Sequence, residues 1–204
     1  MRRSNVLACV VLVALQGCTA YKRCAYESPG RDEWQKPDDV VAALGLVPGS
    51  QVADLGSGSG YFTLRLARAV GPSGRVYAVD VDEAMNDSLR ERLAEEGVDN
   101  VHVVLGEYAD PKLPDGKIDL VFTSNTYHHI QDRAEYFRKL KGDLAPGGRV
   151  AVVEYDGTKG FFVRWMGHST SKELILSEMQ EAGYRVSEDL GILERQSFIV
   201  FEPN

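Results

Sequence analysis

The stretch Val52-Ala53-Asp54-Leu55-Gly56-Ser57-Gly58-Ser59-Gly60-Tyr61 decides the architecture. An apolar run ends in a glycine-serine loop, and Phe62, Leu64, Leu66, Ala67 and Val70 follow at helical spacing. Strand, tight loop and helix in that order open a parallel α/β sheet. In such sheets ligands bind beyond the carboxyl ends of the strands. Glycines there let the backbone approach a ligand without a Cβ in the way and permit positive φ. The loop 56–60 is therefore the expected ligand loop.

Working outward, Pro37 starts a helix that ends near Gly45, with Asp38 and Asp39 at its positive dipole end. Gln51 to Leu55 is a strand, Gly60 to Val70 a helix, and Arg75 to Val79 a strand ending at Asp80. Asp82 to Glu96 is helical with Gly97 as its C-cap. Strands follow at Val101 to Leu105 and Ile118 to Thr123, then a helix at Asp132 to Lys141 and a strand at Arg149 to Glu154. A helix from Ser171 to Ala182 precedes two strands, Tyr184 to Leu190 and Ser197 to Phe201, joined by a short connection. The expectation is an α/β, Rossmann-like, doubly wound seven-stranded sheet, mostly parallel, with an antiparallel C-terminal hairpin at one edge.

The dinucleotide fingerprint is G-x-G-x-x-G. Here the spacing is G-x-G-x-G, with Tyr61 where the third glycine of that fingerprint belongs and Asp54 two positions ahead. Asp80 closes the second strand 20 residues beyond Gly60, where a carboxylate can accept both hydroxyls of a ribose. The plainer alternative for both acids is a turn or helix-start role, but their places beside the loop and at a strand end favour ligand contact.

Together these features resemble the class I S-adenosylmethionine-dependent methyltransferases, especially the branch of ubiquinone/menaquinone-type and small-molecule enzymes. The resemblance runs from about Trp34 to Phe201. Val52 to Gly60 looks like the family's first motif and Val76 to Asp80 like its second. Gly106-Glu107-Tyr108 falls where the family places a polar residue near the adenine. Ile118 to Asn125 looks like the fourth strand, whose end faces the methionine part of the cofactor. Leu144 to Val150 resembles the Pro-Gly-Gly turn before strand five.

The resemblance implies S-adenosyl-L-methionine as cofactor, held by Asp54, Gly56, Ser57, Gly58, Gly60, Asp80, Glu107, Tyr108 and Asn125. It implies methyl transfer to a small-molecule or lipid-like acceptor by in-line displacement, with proximity and orientation as the main contributions. Tyr108 would stack on the adenine or cap the sheet, and Trp34 and Tyr61 would cover the cofactor or simply pack. Two competing readings are an exported cofactor-binding scaffold without turnover and a nicotinamide-dependent oxidoreductase. The oxidoreductase is weakened by the missing glycine at position 61 and by the lack of a second domain.

No catalytic residue is dictated, because a base is needed only if the acceptor carries a proton. His128, His129 and His168 are the candidates, each also readable as packing. Adjacent His128 and His129 point apart, so no shared metal is expected. Ser124-Asn125-Thr126-Tyr127 lacks both prolines of the Asn-Pro-Pro-Tyr motif of amino-group methylating enzymes. Cys24 is the sole thiol expected in the mature chain, too few for the arsenite-methylating relatives.

The N-terminus is a different material. Arg2 and Arg3 precede the apolar run Val6 to Leu15, too short to cross a bilayer but suited to a secretory signal. Leu15-Gln16-Gly17-Cys18 resembles the bacterial lipobox. Residues 1–17 then read as a signal peptide, Cys18 as the lipidated residue, 18–33 as the lipidated terminus and tether, and 34–204 as the methyltransferase domain. The address would be the bacterial cell envelope, as a membrane-anchored lipoprotein facing the periplasm or exterior. Removing Arg2 and Arg3 with the signal takes the formal charge from -7 to -9. An acidic surface without a basic patch argues against nucleic acid as a partner.

Overall fold

The computed structural model describes residues 30–156 and 169–204. The signal segment, Cys18 and His168 lie outside them. The elements in chain order are α1 (Arg31–Gln35), α2 (Pro37–Ala43), β1 (Gln51–Leu55), α3 (Thr63–Val70), β2 (Arg75–Asp80), α4 (Glu83–Glu96) and β3 (Val101–Leu105). Next come β4 (Ile118–Ser124), a 3-10 turn (Tyr127–His129), α5 (Arg133–Leu140), β5 (Leu144–Tyr155), α6 (Lys172–Glu181), β6 (Tyr184–Asp189) and β7 (Gln196–Pro203).

The seven strands form one sheet in the order β3-β2-β1-β4-β5-β7-β6. β1 to β5 pair in parallel, whereas β7 enters antiparallel between β5 and β6. This is the doubly wound sheet with an antiparallel hairpin that the strand pattern predicts. The chain order reverses at β1, so the ends of β1 and β4 diverge into a crevice at the switch point.

Each face is buried under its own helices. Ala53, Val79, Val121 and Val152 point to the face that packs Phe137, Ile175 and Met179 of α5 and α6. Val52, Val76, Phe122 and Val153 point to the opposite face, against Val40, Leu66 and Val70 of α2 and α3. Burial on both faces explains why the central strands read as near-continuous apolar runs rather than as alternation.

Beyond shifts of one or two residues at element ends, the structure departs from the sequence reading in three places. Arg31 to Glu33, assigned to the tether, are helical and packed on the domain through α1. A five-residue helix is too short to print a 3.6-residue period. α3 begins at Thr63 rather than Gly60, because the Gly60 N–H turns back to the Ser57 carbonyl at 2.9 Å. β5 starts at Leu144 and carries the Pro146-Gly147-Gly148 turn as an irregularity, with a shift of register against β4 between Ile118 and Leu120.

Candidate functional site: the crevice at the end of beta1

The glycine loop leaves β1 and returns at once to β2. The Gly56 and Ser57 N–H groups both donate to the Val79 carbonyl, at 2.8 and 3.1 Å. The Gly58 N–H donates to Asp80 Oδ2 at 2.9 Å, and Asp80 Oδ1 accepts from the Asp82 N–H at 2.9 Å. One carboxylate thus ties the loop after β1 to the end of β2. Asn86, fully buried on α4, braces the strand end by donating to the Asp80 carbonyl.

The glycines have distinct jobs. Gly56 has φ 75°, and a Cβ there would lie 2.0 Å from Thr126 Oγ1. Bare backbone at 56 lets the segment after β4 close directly onto the loop. Gly58 has φ 52°. Gly60, at φ 89°, leaves room for Leu89 of α4, whose Cδ1 a Cβ would approach to 2.5 Å. Its role is helix packing as much as ligand access.

Asp54 is buried on the α2/α3 face and accepts a hydrogen bond from Thr63 Oγ1 at 2.6 Å. Burial pushes its carboxyl up to about 7, the Asp80 charge adds to this, and Thr63 and Arg31 oppose it. A buried acid on the edge of ionisation suits a cationic ligand group, which would supply the missing counter-charge. Ser57 Oγ is buried and has no hydrogen-bond partner among the described residues, so it too is left for a ligand or water.

Glu107 and Tyr108 leave β3 into solvent. Glu107 pairs with Lys112 at 3.0 Å, and Tyr108 is 68% exposed, which removes sheet capping as its role. Beside them Gly106 packs on Val79 and donates to the Asp80 carbonyl. Asn125, in the left-handed region at φ 54°, donates its N–H to the Val153 carbonyl and accepts Gln196 Nε2 at 2.7 Å. Its side chain is thereby turned toward β7.

The segment 126–129 links both halves of the crevice. Thr126 covers Gly56, Tyr127 is fully buried against Phe137, and His128 Nδ1 meets Glu154 Oε1 at 3.0 Å. His129 is exposed, and contrary to the expectation that the two histidines point apart, its ring lies 4.0 Å from that of His128 in the 3-10 turn.

Several site residues carry no local sequence signal. α1 crosses the strand ends: Arg31 stacks over the Tyr61 ring at 3.6 Å, and buried Gln35 donates to Ser124 Oγ at 3.0 Å. Trp34 packs on Tyr155 at 5.5 Å, and the Arg195 guanidinium lies over the Trp34 ring at 5.8 Å. Tyr61 donates to Asp32 at 2.5 Å, so it serves as the floor of α1. The acidic strand end at Glu154 was the available clue, since a carboxylate closing an apolar strand needs a partner. No cluster of three His, Cys, Asp or Glu able to hold a metal occurs among the described residues.

Comparison with known proteins shows what this fold and loop are similar to. Residues 52–148 match the family model described as a methyltransferase domain. The chain is 34% identical over 117 residues to a ubiquinone/menaquinone biosynthesis C-methyltransferase of Vibrio vulnificus, covering 57% of this chain and 45% of that protein. The Pasteurella multocida protein of the same description is 36% identical over 117 residues, with 57% and 44% covered. The chain thus spans under half the length of these curated relatives. A SAM dependent methyltransferase from Aquifex aeolicus superposes with a TM-score of 0.81 at 26% identity, over 90% of this chain and 97% of that one. A geranyl diphosphate C-methyltransferase from Streptomyces coelicolor shares the fold, with a TM-score of 0.71 at 15% identity over 90% and 84%. The seven-stranded fold is that of S-adenosylmethionine-dependent methyltransferases of known structure.

Proposed function

We propose that the protein is an S-adenosyl-L-methionine-dependent methyltransferase acting on a small-molecule or lipid-like acceptor. The observation that carries this reading is the closed circuit Asp54, Gly56, Gly58 and Asp80, locked by the bond from the Gly58 N–H to Asp80. The residues present fit the cofactor. Asp54 and the unpartnered Ser57 hydroxyl would take its methionine end, and Asp80 its ribose hydroxyls. Gly56 and Gly58 let the backbone close around it. When bound, the cofactor supplies an electrophilic methyl group on a positively charged sulfur. The chain's own part is to hold the acceptor in line and keep water out.

Calorimetric titration with S-adenosylhomocysteine tests this. Binding by the wild-type chain and its loss in Asp80→Ala is the expected pair of results. If neither form binds, the cofactor assignment fails. Binding without transfer to any acceptor leaves the scaffold reading instead.

The proposed address is the cell envelope, with the domain held at the membrane through Cys18. The order of Arg2-Arg3, apolar run and Cys18 supports it. The Cys18→Ser chain should leave the membrane fraction, and retention there would defeat the proposal.

A further inference from the structure

The mechanism above leaves one buried titratable pair unused. Glu154 is 0% exposed at the end of β5, and its carboxylate collects three donors. The His128 N–H donates to Oε2 at 3.3 Å, the Tyr155 N–H to Oε1 at 2.9 Å, and His128 Nδ1 lies 3.0 Å from Oε1. A lone carboxylate at an apolar strand end is costly to bury, so this degree of satisfaction indicates a held geometry rather than an accident of packing.

The tautomer follows from the partner. An ionised carboxylate only accepts, so the proton of a neutral His128 sits on Nδ1 and Nε2 keeps its lone pair. The position follows from the chain. Thr126, two residues earlier, lies against Gly56, so the turn that carries His128 begins at the segment covering the glycine loop. Across the sheet, Ser197 is the register partner of Glu154 and shares its face. Its Oγ is buried with no hydrogen-bond partner among the described residues. Glu154 therefore holds His128 on one side and has the Ser197 hydroxyl as its cross-strand neighbour on the other.

We propose that His128 is the proton acceptor for the methyl acceptor, that Glu154 is its positioning residue, and that the acceptor carries a weakly acidic phenolic or enolic hydroxyl. This rests on the methyltransferase reading. In the step, the acceptor oxygen forms the new C–O bond while the methyl–sulfur bond breaks and its electron pair stays on sulfur. The O–H proton passes to His128 Nε2, and imidazolium is stabilised by Glu154 at Nδ1. The other charged and titratable groups nearby are His129 beside the ring and Asp132, Arg133 and Glu178 around the same depression. Arg133 and Glu178 neutralise one another through contacts of 2.7 and 2.8 Å. His129 is exposed, with its ring 4.0 Å from that of His128.

The test has two parts, both preceded by calorimetry with S-adenosylhomocysteine, whose failure to bind would sink the methyltransferase reading itself. In the first, nitrogen-15 NMR of the histidine rings reads the tautomer without any turnover. His128 should be the Nδ1–H form in the wild type and shift to Nε2–H in Glu154→Gln, whose amide can donate to Nδ1. A wild-type Nε2–H ring overturns the proposal.

The second measures methyl transfer to catechol and hydroquinone across pH. His128→Ala and Glu154→Gln should bind S-adenosylhomocysteine within about twofold of wild type. His128→Ala should lose roughly 100-fold in kcat, the usual scale of general-base removal. The wild-type rate should fall at low pH, and the variant should lack that limb. Glu154→Asp should restore part of the rate lost in Glu154→Gln. A wild type that binds S-adenosylhomocysteine but methylates neither probe overturns the acidic-hydroxyl acceptor. A His128→Ala variant with an unchanged pH profile overturns the base.

Discussion

The crevice has two walls built on different principles. The wall at β1 and β2 is mostly backbone: the Gly56, Ser57 and Gly58 amides, two strand ends and one bridging carboxylate within a span of 27 residues from Asp54 to Asp80. The wall at β4, β5 and β7 is made of side chains from distant parts of the chain. Gln35 reaches Ser124, Gln196 reaches Asn125, and Trp34 reaches Tyr155. A site for a constant ligand can be written into a short motif, while a site for a variable acceptor draws on whatever the fold brings together.

The contrast predicts a hierarchy of effects. Gly56→Ala should be the most severe, since its Cβ meets three atoms of Thr126 and the residue is held at φ 75°. Overpacking and left-handed strain together amount to about 4 kcal/mol, to be read by urea denaturation, along with lost S-adenosylhomocysteine binding. Near-normal stability in this variant would mean that the two walls are not in contact.

Next comes pH. The folded chain keeps the Asp54 proton up to about 7, against 3.8 for the ordinary carboxyl, so it binds more protons than the unfolded chain between those values. The stability this proton contributes is complete below about pH 4 and is lost as pH rises through 7. Between pH 5 and 8 the loss is about 3 kcal/mol, and Asp54→Asn should abolish the dependence. A cationic ligand group favours the ionised form, so the thermal shift from S-adenosylhomocysteine should grow over the same range. A shift that shrinks with pH would remove Asp54 from the ligand.

Asp80→Asn keeps the shape but weakens two charge-assisted bonds, to Gly58 and Asp82. It should cost about 2 kcal/mol in S-adenosylhomocysteine affinity by calorimetry. Smallest is Gln196→Leu on the other wall, which loses the bond to Asn125. It should lower stability by about 1 kcal/mol and leave cofactor affinity alone. Equal effects of these two on cofactor binding would erase the distinction between the walls.

The same division governs what was readable beforehand. Strands β1 and β3 match their sequence boundaries, and Asp54 and Asp80 stand where the loop spacing predicts, because these features depend on neighbours in the chain. Tyr108 shows the limit: its position in the chain is right for a stacking residue, but its ring is largely in solvent. α1 was invisible because its stability comes from Tyr61, Ser124 and Tyr155, none nearby in sequence. Glu154 was read only as the end of a strand, since its meaning depends on a histidine 26 positions earlier.

The antiparallel entry of β7 between β5 and β6 also sets the timing of folding. Phe198, Ile199, Val200 and Phe201 fill both faces of the sheet, and β6 pairs with the sheet through β7. Until residues 196–203 have been synthesised, β5 is an open edge and β6 has nothing to join. Pairings of such long range form late and slowly. The sheet therefore stays open at β5 until the hairpin of β6 and β7 pairs along it.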